Sequence, residues 1–543
     1  MRNIAIVKDI SSVSEALVKI NEQSKVSVAP NMALVVNKNN EVINVITEGD
    51  IRRLLVNNYS LSGSIGVILN KKFLFLKRDH NQSDIDILLN KTSSNNVVVP
   101  ILDDNNALYE LKILTKSKKS IAIYGLGFVG LTLAAVLSNK GYLVKGLDIN
   151  ERLIDDLNND VFHVHEPNLK EYVSKALSSE SLTFTSDKND LVDIDFHIIS
   201  VGTPVNESGE VNKKALETVC INIAKDLKKQ SHIMLRSTVP VGTSRNYVIP
   251  LIEKISGFKC GKDFYLTFAP ERTVEGNAIN ELLELPQVIG SYCDSGAKEA
   301  NEFWMNSTSN MVNLESLESA EMVKLANNSY RDLSFAFANH LALLAQDFNC
   351  NAFDVINAAN NGYPRNKIPL PSPGVGGYCL TKDPYLFQAS FKNKNHPLCV
   401  TGRNVNKSIV NRIVNEIENY IVSDKNMKIL IIGMAFKGYP ETNDLRGSCS
   451  LDIYKAFIDK NIDTCGYDFV LSKNDLENNN INNINDLDEI KDFDIVMLLN
   501  NHKENKNINF SKMKKGSLLY DGWNQIDNNT LSDIKYATIG KFY

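Results

Sequence analysis

One short segment narrows the folds open to this 543-residue chain more than any other: Gly125-Leu-Gly127-Phe128-Val129-Gly130. It follows the apolar strand pattern IAIY and opens the helical pattern LTLAAVLSNKG. In such a turn the first glycine permits the tight bend, the second lets a pyrophosphate approach the backbone, and the third lets helix and strand pack closely. The helix N-terminus then faces the phosphates. Eighteen residues beyond Gly130, Asp148 ends the next strand pattern, LVKGLDI. A carboxylate there accepts both ribose hydroxyls and repels a 2′-phosphate, so the pattern points to NAD rather than NADP.

Strand and helix patterns keep alternating around this turn, which predicts an α/β region with a parallel sheet over 121–313. From Glu315 the pattern turns helical. SAEMVKLANNSYRDLSFAFANHLALLAQDF has neither Pro nor Gly, and its second half is apolar almost all round. Such a helix is expected to be buried between domains or in a subunit interface. A helix-breaking stretch with four prolines, Tyr363 to Gly377, follows it within a central region placed at 314–420. A third region, 428–543, restarts with the strand pattern KILIIGMAF, and its Asn-rich run 477–486 reads as a surface loop. Residues 1–115 form a small tandem α/β module. VSEALVKI and GDIRRLLV read as helices, ALVVN and VINVIT as strands, and SDIDILLN with NVVVPILDD as a weaker second copy. The basic run KSKKS is a solvated connector.

Charge and cysteine usage exclude several classes. With 59 basic and 64 acidic residues the net charge is −5, which argues against nucleic-acid binding and supplies no polybasic membrane anchor. No apolar run approaches the ~18 residues of a membrane span. The start, MRNIAIVKDISSV, does not read as a signal peptide. Eight scattered cysteines without a CxxC pair fit reduced thiols and a cytoplasmic location.

Several residues carry possible chemistry. Cys379 follows Gly376, Gly377 and Tyr378, so little bulk guards it, and Lys382 is expected to lower its thiol pKa, with Asp383 orienting a base or water. The alternative is a structural thiol. Glu321, Lys324, Asn328 and Arg331 share one helical face, read either as a buried polar cluster or as a solvated stripe. Gly433 begins a reduced glycine turn, near which Lys437, Asp444 and Arg446 meet phosphates or a ribose, or form a solvated loop. His163, His165 and Glu166 lack further ligands nearby, so no metal site is expected. His502 is read as a surface residue.

Eight segments occur in one order: GLGFVGL, HEPNL, SVGTPV, RSTVPVGTSR, APERTVEGNA, EMVKLANNSYRD, GVGGYCLTKDP and GMAFKGYPETNDLRGS. Over about 121–543 they resemble the UDP-glucose/GDP-mannose dehydrogenase family of nucleotide-sugar dehydrogenases. The resemblance implies two Rossmann-like doubly wound domains, binding NAD (121–313) and a UDP-sugar (428–543), joined by a central long-helix domain (314–420) that dimerises. It implies oxidation of a sugar C6 hydroxyl to a carboxylate by two NAD molecules, supplying polysaccharide biosynthesis. Cys379 matches the family nucleophile, Lys324 the lysine that stabilises oxyanions, Asn328 its partner, and Asp383 a proton-transfer group. Thr238 and Glu275 match groups that position water. Thr203, Thr238, Glu275 and Lys382 lie near the cofactor by the same matching. Glu271, Arg272, Lys324, Asn328, Arg331, Gly376, Lys437 and Arg446 match the nucleotide-sugar site, and Arg365 reaches the sugar from a partner subunit.

The sugar is less sharply marked. Glu275 and Lys382 resemble the UDP-glucose branch, whereas Arg272, Arg331 and DPYLF resemble the N-acetylhexosamine branch (UDP-N-acetylmannosamine or UDP-N-acetylglucosamine), which covers more of the sequence. Tyr378 matches neither. Residues 1–115 resemble a cystathionine-β-synthase-type (CBS) pair through VITEGDIRR, in which Thr47 and Asp50 match positions that bind a nucleotide ribose; a structural or dimerising pair is the alternative. Two other functions compete. A two-electron hydroxyacid dehydrogenase has no need of Cys379 or a third nucleotide domain. A non-enzymatic nucleotide sensor has no need of intact Lys324, Asn328, Cys379 and Asp383.

Overall fold

The computed structural model describes residues 4–23, 31–69, 72–92, 96–115, 119–206, 210–305, 307–308, 310–365, 367–393, 396–421 and 427–541. The chain divides into two compact units, 1–118 and 119–543. The connector falls outside the described residues apart from Lys119 and Ser120.

The first unit repeats one small pattern. Strand Ala5–Lys8 pairs in parallel with Met32–Val36, which pairs antiparallel with Val42–Thr47. Leu76–Lys77, Asn96–Leu102 and Leu108–Thr115 are arranged in the same way. Helix Val13–Gln23 turns Val13, Ala16 and Ile20 inward, the spacing of one helical face. Leu34, Val36 and Val42 pack with Leu102 and Leu111, so the two copies share a core.

The second unit holds two Rossmann-like sheets. The larger has eight strands in the order Met311–Leu314, Gln287–Ser291, Tyr265–Phe268, His232–Leu235, Phe196–Ile199, Ser120–Tyr124, Leu143–Leu147, Leu182–Thr185. All neighbours are parallel except the pair joining Tyr265–Phe268 to Gln287–Ser291. The strand order reverses between Ser120–Tyr124 and Phe196–Ile199, where a crevice opens at the carboxyl ends. The smaller sheet is wholly parallel, in the order Thr464–Tyr467, Ile429–Ile432, Ile495–Leu498, Leu518–Asp521, Lys535–Ala537. Its central strands are buried on both faces, hence the continuous runs ILII and IVML.

Between the sheets runs the 31-residue helix Leu317–Asp347, about 46 Å long. Ser316 starts it by accepting a hydrogen bond from the Ser319 N–H (3.1 Å). It packs beside Tyr378–Ala389 and Leu398–Ile421. A buried polar network binds these elements. Arg403 donates to Asp332 (2.7 Å) and to the Val375 carbonyl (2.7 Å), Asn406 donates to Asp332 (2.9 Å), and Asn339 accepts from the Ser372 N–H (2.9 Å). The proline-rich segment before Cys379 is thereby fastened to both long helices.

Within one chain, Tyr330, Phe337 and Leu344, seven residues apart along the long helix, are 75%, 59% and 52% exposed. One expectation needs correction. The Asn-rich run is not simply a surface loop, because Ile481 and Ile484 are buried and the Gly466 N–H donates to the Asn482 carbonyl (2.7 Å). Among the described residues, no helix is long and apolar enough to cross a membrane.

Candidate active site

The glycine turn has the geometry its spacing requires. Gly125 has φ +91°, and a Cβ on Gly130 would lie 1.8 Å from the Gly125 carbonyl oxygen. A Cβ on Gly127 would meet nothing within 4 Å, so open space lies over the turn. Phe128 and Val129 begin helix Phe128–Asn139. Asp148 accepts from the Leu126 N–H (2.8 Å) and the Asn150 N–H (3.0 Å), which fixes its carboxylate beside the turn. Open space and carboxylate together fit the adenosine diphosphate half of NAD. Across the crevice, the buried Thr203 hydroxyl donates to the Thr238 carbonyl and ties two strand ends together.

The polar face of the long helix is buried, not a solvated stripe. Glu321 accepts from the backbone N–H groups of Gly242 (2.5 Å) and Ser244 (2.8 Å), holding the VPVGTS turn. Lys324 is buried one turn on. Asn328 donates to Asp383 Oδ2 (2.5 Å), and Lys382 donates to Asp383 Oδ1 (2.9 Å), so both oxygens of the fully buried Asp383 are held. Arg331 is exposed at the end of this row, near enough to Lys437 to disfavour its positive charge.

Cys379 lies in the first turn of Tyr378–Ala389, where the helix N-terminus favours negative charge. The helix starts at Gly377, whose N–H donates to the Gly447 carbonyl (3.1 Å). Gly376 is pressed against the same carbonyl, which a Cβ there would approach to 2.5 Å. Cys379 is exposed. The expectation of a lowered thiol pKa fails. Burial pushes it up, the nearby Lys324 ammonium pulls it down, and Lys382 assists less, with Asp383 opposing. The net direction is upward.

The second sheet closes against this site. Glu275 accepts from the Thr442 hydroxyl (3.0 Å) and lies 3.8 Å from Arg446, and Lys437 donates to the Glu275 carbonyl (2.6 Å). Burial raises the Glu275 pKa, with Asp444 adding to the effect, and burial lowers Lys437 to about 8. Asp444 holds Arg446 in a fork, with contacts of 2.9 and 2.7 Å. Gly127, Phe128, His163, Glu275, Thr442 and Arg446 line a cleft of about 270 Å³ between the sheets. Lys437, Asp444 and Arg446 therefore belong to a seam, not to a solvated loop.

Glu271 is buried, ion-paired with Arg236, and accepts from the Arg272 (2.6 Å) and Thr273 (2.7 Å) N–H groups. The Arg272 guanidinium donates to the Pro286 carbonyl. Both are thus committed to shaping their own loop. Arg365 is exposed and donates to the Tyr363 hydroxyl (3.0 Å). His502 is buried, not on the surface; its ring stacks on Phe469 at 4.6 Å. Glu166 accepts from the N–H groups of Gly276 (2.8 Å) and Ile279 (3.2 Å), which gives it a structural task. Thr47 and Asp50 do meet, but as a helix cap. Asp50 Oδ2 accepts from the Thr47 N–H (3.0 Å) and hydroxyl (2.8 Å), and Oδ1 accepts from Arg53 (2.6 Å). Asn443 was missed by sequence reasoning. It accepts from the His165 N–H (3.1 Å) across the seam.

Three family models match in succession: the NAD-binding domain of the UDP-glucose/GDP-mannose dehydrogenase family at 119–307, its central domain at 318–408, and its UDP-binding domain at 430–528. The chain belongs to this family. It is an NAD-dependent oxidoreductase with the family's Rossmann-like sheets and central helices. A UDP-N-acetyl-D-mannosamine dehydrogenase of Pyrococcus horikoshii is 30% identical over 415 residues, covering 75% of this chain and 96% of the relative. One from Campylobacter jejuni is 34% identical over 341 residues, covering 61% and 82%. The solved P. horikoshii UDP-D-ManNAc dehydrogenase superposes with a TM-score of 0.70 at 28% identity, covering 78% of this chain and 99% of the other.

Proposed function

We propose that this family member oxidises C6 of a UDP-N-acetylhexosamine to the carboxylate, UDP-N-acetylmannosamine before UDP-N-acetylglucosamine, with UDP-glucose as the alternative. The observation that carries the reaction is the Cys379 thiol at a helix N-terminus, beside Lys324 and the Asn328–Asp383–Lys382 chain, facing a seam between two nucleotide-binding sheets. The relatives named for UDP-N-acetyl-D-mannosamine support the choice of sugar.

Two molecules of NAD, bound in succession over Gly125–Gly130 with Asp148 taking the ribose hydroxyls, would each accept one hydride. The C6 alcohol loses two electrons and two protons to become an aldehyde. Cys379 Sγ then adds to that carbonyl carbon, its proton passing to the carbonyl oxygen, to give a thiohemiacetal. Lys324 and Asn328 favour the oxygen while it carries negative charge; a fixed donor of this kind contributes about 3–4 kcal/mol. Loss of two more electrons and two protons leaves a thioester. Water adds, the C–S bond breaks, and thiol and carboxylate are released. Asp383 holds the Lys382 ammonium in place throughout. Thr238 and Glu275 are assigned to the water, and Arg331, Lys437 and Arg446 to the UDP moiety.

The same reading divides the chain into a CBS-like pair (1–115), an NAD domain (121–313), a helical dimerisation and catalytic domain (314–420) and a UDP-sugar domain (428–543), in a cytoplasmic homodimer or larger homo-oligomer. The exposed row Tyr330, Phe337, Leu344 supports dimerisation, and in the dimer Arg365 reaches the partner's sugar. A nucleotide binding near Thr47 and Asp50 must share their cap. The deciding experiment is a panel of UDP-sugars with NAD, followed at 340 nm. UDP-N-acetylmannosamine should give two NADH per sugar and no aldehyde trapped by hydroxylamine. One NADH with trapped aldehyde would defeat the four-electron mechanism.

A further inference from the structure

Tyr378, immediately before the nucleophile, has the place of a residue that serves two ligands at once. Its hydroxyl lies against Gly202, beyond strand Phe196–Ile199, where a Cβ on Gly202 would come within 3.2 Å of it. That hydroxyl has no hydrogen-bond partner among the described residues. It sits where the crevice of the larger sheet opens, at the reversal of strand order. Its ring lies under two cations: Lys382 Nζ is 5.5 Å from the ring centroid and Arg446 Cζ is 5.1 Å from it. The electron-rich ring attracts each of these cations, beside the carboxylates Asp383 and Asp444 that pair with them. Arg446 comes from the smaller sheet's domain, so one side chain touches all three parts of the catalytic unit.

We propose that Tyr378 is a specificity-determining residue that reads the two nucleotides separately, its hydroxyl hydrogen-bonding the bound dinucleotide at Gly202 and its ring holding Arg446 toward the UDP moiety. The proposal rests on the nucleotide-sugar dehydrogenase reading. It separates that reading's two sites within one residue: the phenol tip faces the cofactor, and the ring faces the substrate's diphosphate.

The test is calorimetric binding of NADH and of UDP to the full chain, which needs no turnover. Tyr378→Phe keeps the ring and removes only the hydroxyl. It should weaken NADH about three- to tenfold, the worth of one hydrogen bond, and leave UDP within about twofold. Tyr378→Leu, or Tyr378→Met if the leucine variant does not fold, removes the ring as well and should weaken UDP about three- to tenfold in addition. Unchanged NADH binding in the phenylalanine variant would overturn the proposal. So would equal weakening of both ligands by that variant, the mark of a merely structural role. If the unaltered protein binds neither NADH nor UDP, the dehydrogenase reading falls together with the proposal. If it binds both and the variants show no split, only the proposal falls.

Discussion

At the scale of single residues, Cys379 and Lys437 make the sharpest tests because each is held away from its ordinary chemistry. Burial pushes the Cys379 thiol pKa up, and the Lys324 ammonium pulls it down. Cys379→Ser substitutes a far weaker nucleophile and should reduce NADH production to a trace, measured at 340 nm with excess UDP-sugar. A near-normal rate would place the nucleophile elsewhere. Lys437 is held at about 8 by burial, so its charge is lost as pH rises through that value. A neutral amine attracts phosphate less, so KM for the UDP-sugar should rise between about pH 7 and 9 while kcat changes little. Lys437→Arg keeps its charge throughout and should flatten that limb; a wild-type KM constant over the same range would remove Lys437 from the substrate site.

Among the elements, the long helix and the segment leading to Cys379 depend on a buried ion pair that no local pattern announced. Arg403 meets Asp332 in the core and reaches the Val375 carbonyl from there. Arg403→Leu leaves Asp332 charged, buried and without its ion-pair partner, and should cost about 3–5 kcal/mol in urea unfolding. It should also weaken catalysis in molecules that remain folded, because the loop before Cys379 loses its tether; full activity with unchanged stability would contradict both. The glycine turn and the place of Asp148 were legible in the sequence because both rest on backbone geometry, whereas helical spacing put Glu321, Lys324, Asn328 and Arg331 on one face without deciding whether that face is buried. The seam was not legible, since Glu275 meets Thr442, and Asn443 meets His165, only after two separate sheets have packed. His502 was misread for the same reason: Phe469, which covers it, is remote in sequence. The contacts of Glu271 with Arg236 and of Arg272 with the Pro286 carbonyl were likewise not legible, because each joins segments separated in sequence.

For the whole molecule, the division at residue 118 separates the tandem N-terminal unit from every group assigned to catalysis. A chain beginning near Ser117 should retain the dehydrogenase reaction. If the N-terminal unit is regulatory, ATP, AMP or a UDP-sugar should shift the kinetics or melting temperature of the full chain and not those of the shortened one; identical responses would make the unit structural. Regulation requires different affinity for two states, so binding alone would not establish it. The fork between Asp444 and Arg446, with Glu275 close by, bears on how a diphosphate enters. Arg446 already has a counter-ion of its own. A diphosphate binding at Arg446 would therefore compete with or share that counter-ion, more than quench a bare charge. A carboxylate already paired with the guanidinium lowers its pull on weak, singly charged competitors such as chloride. The cleft's affinity for nucleotide should accordingly fall less steeply with ionic strength than that of a site built from unpaired arginines.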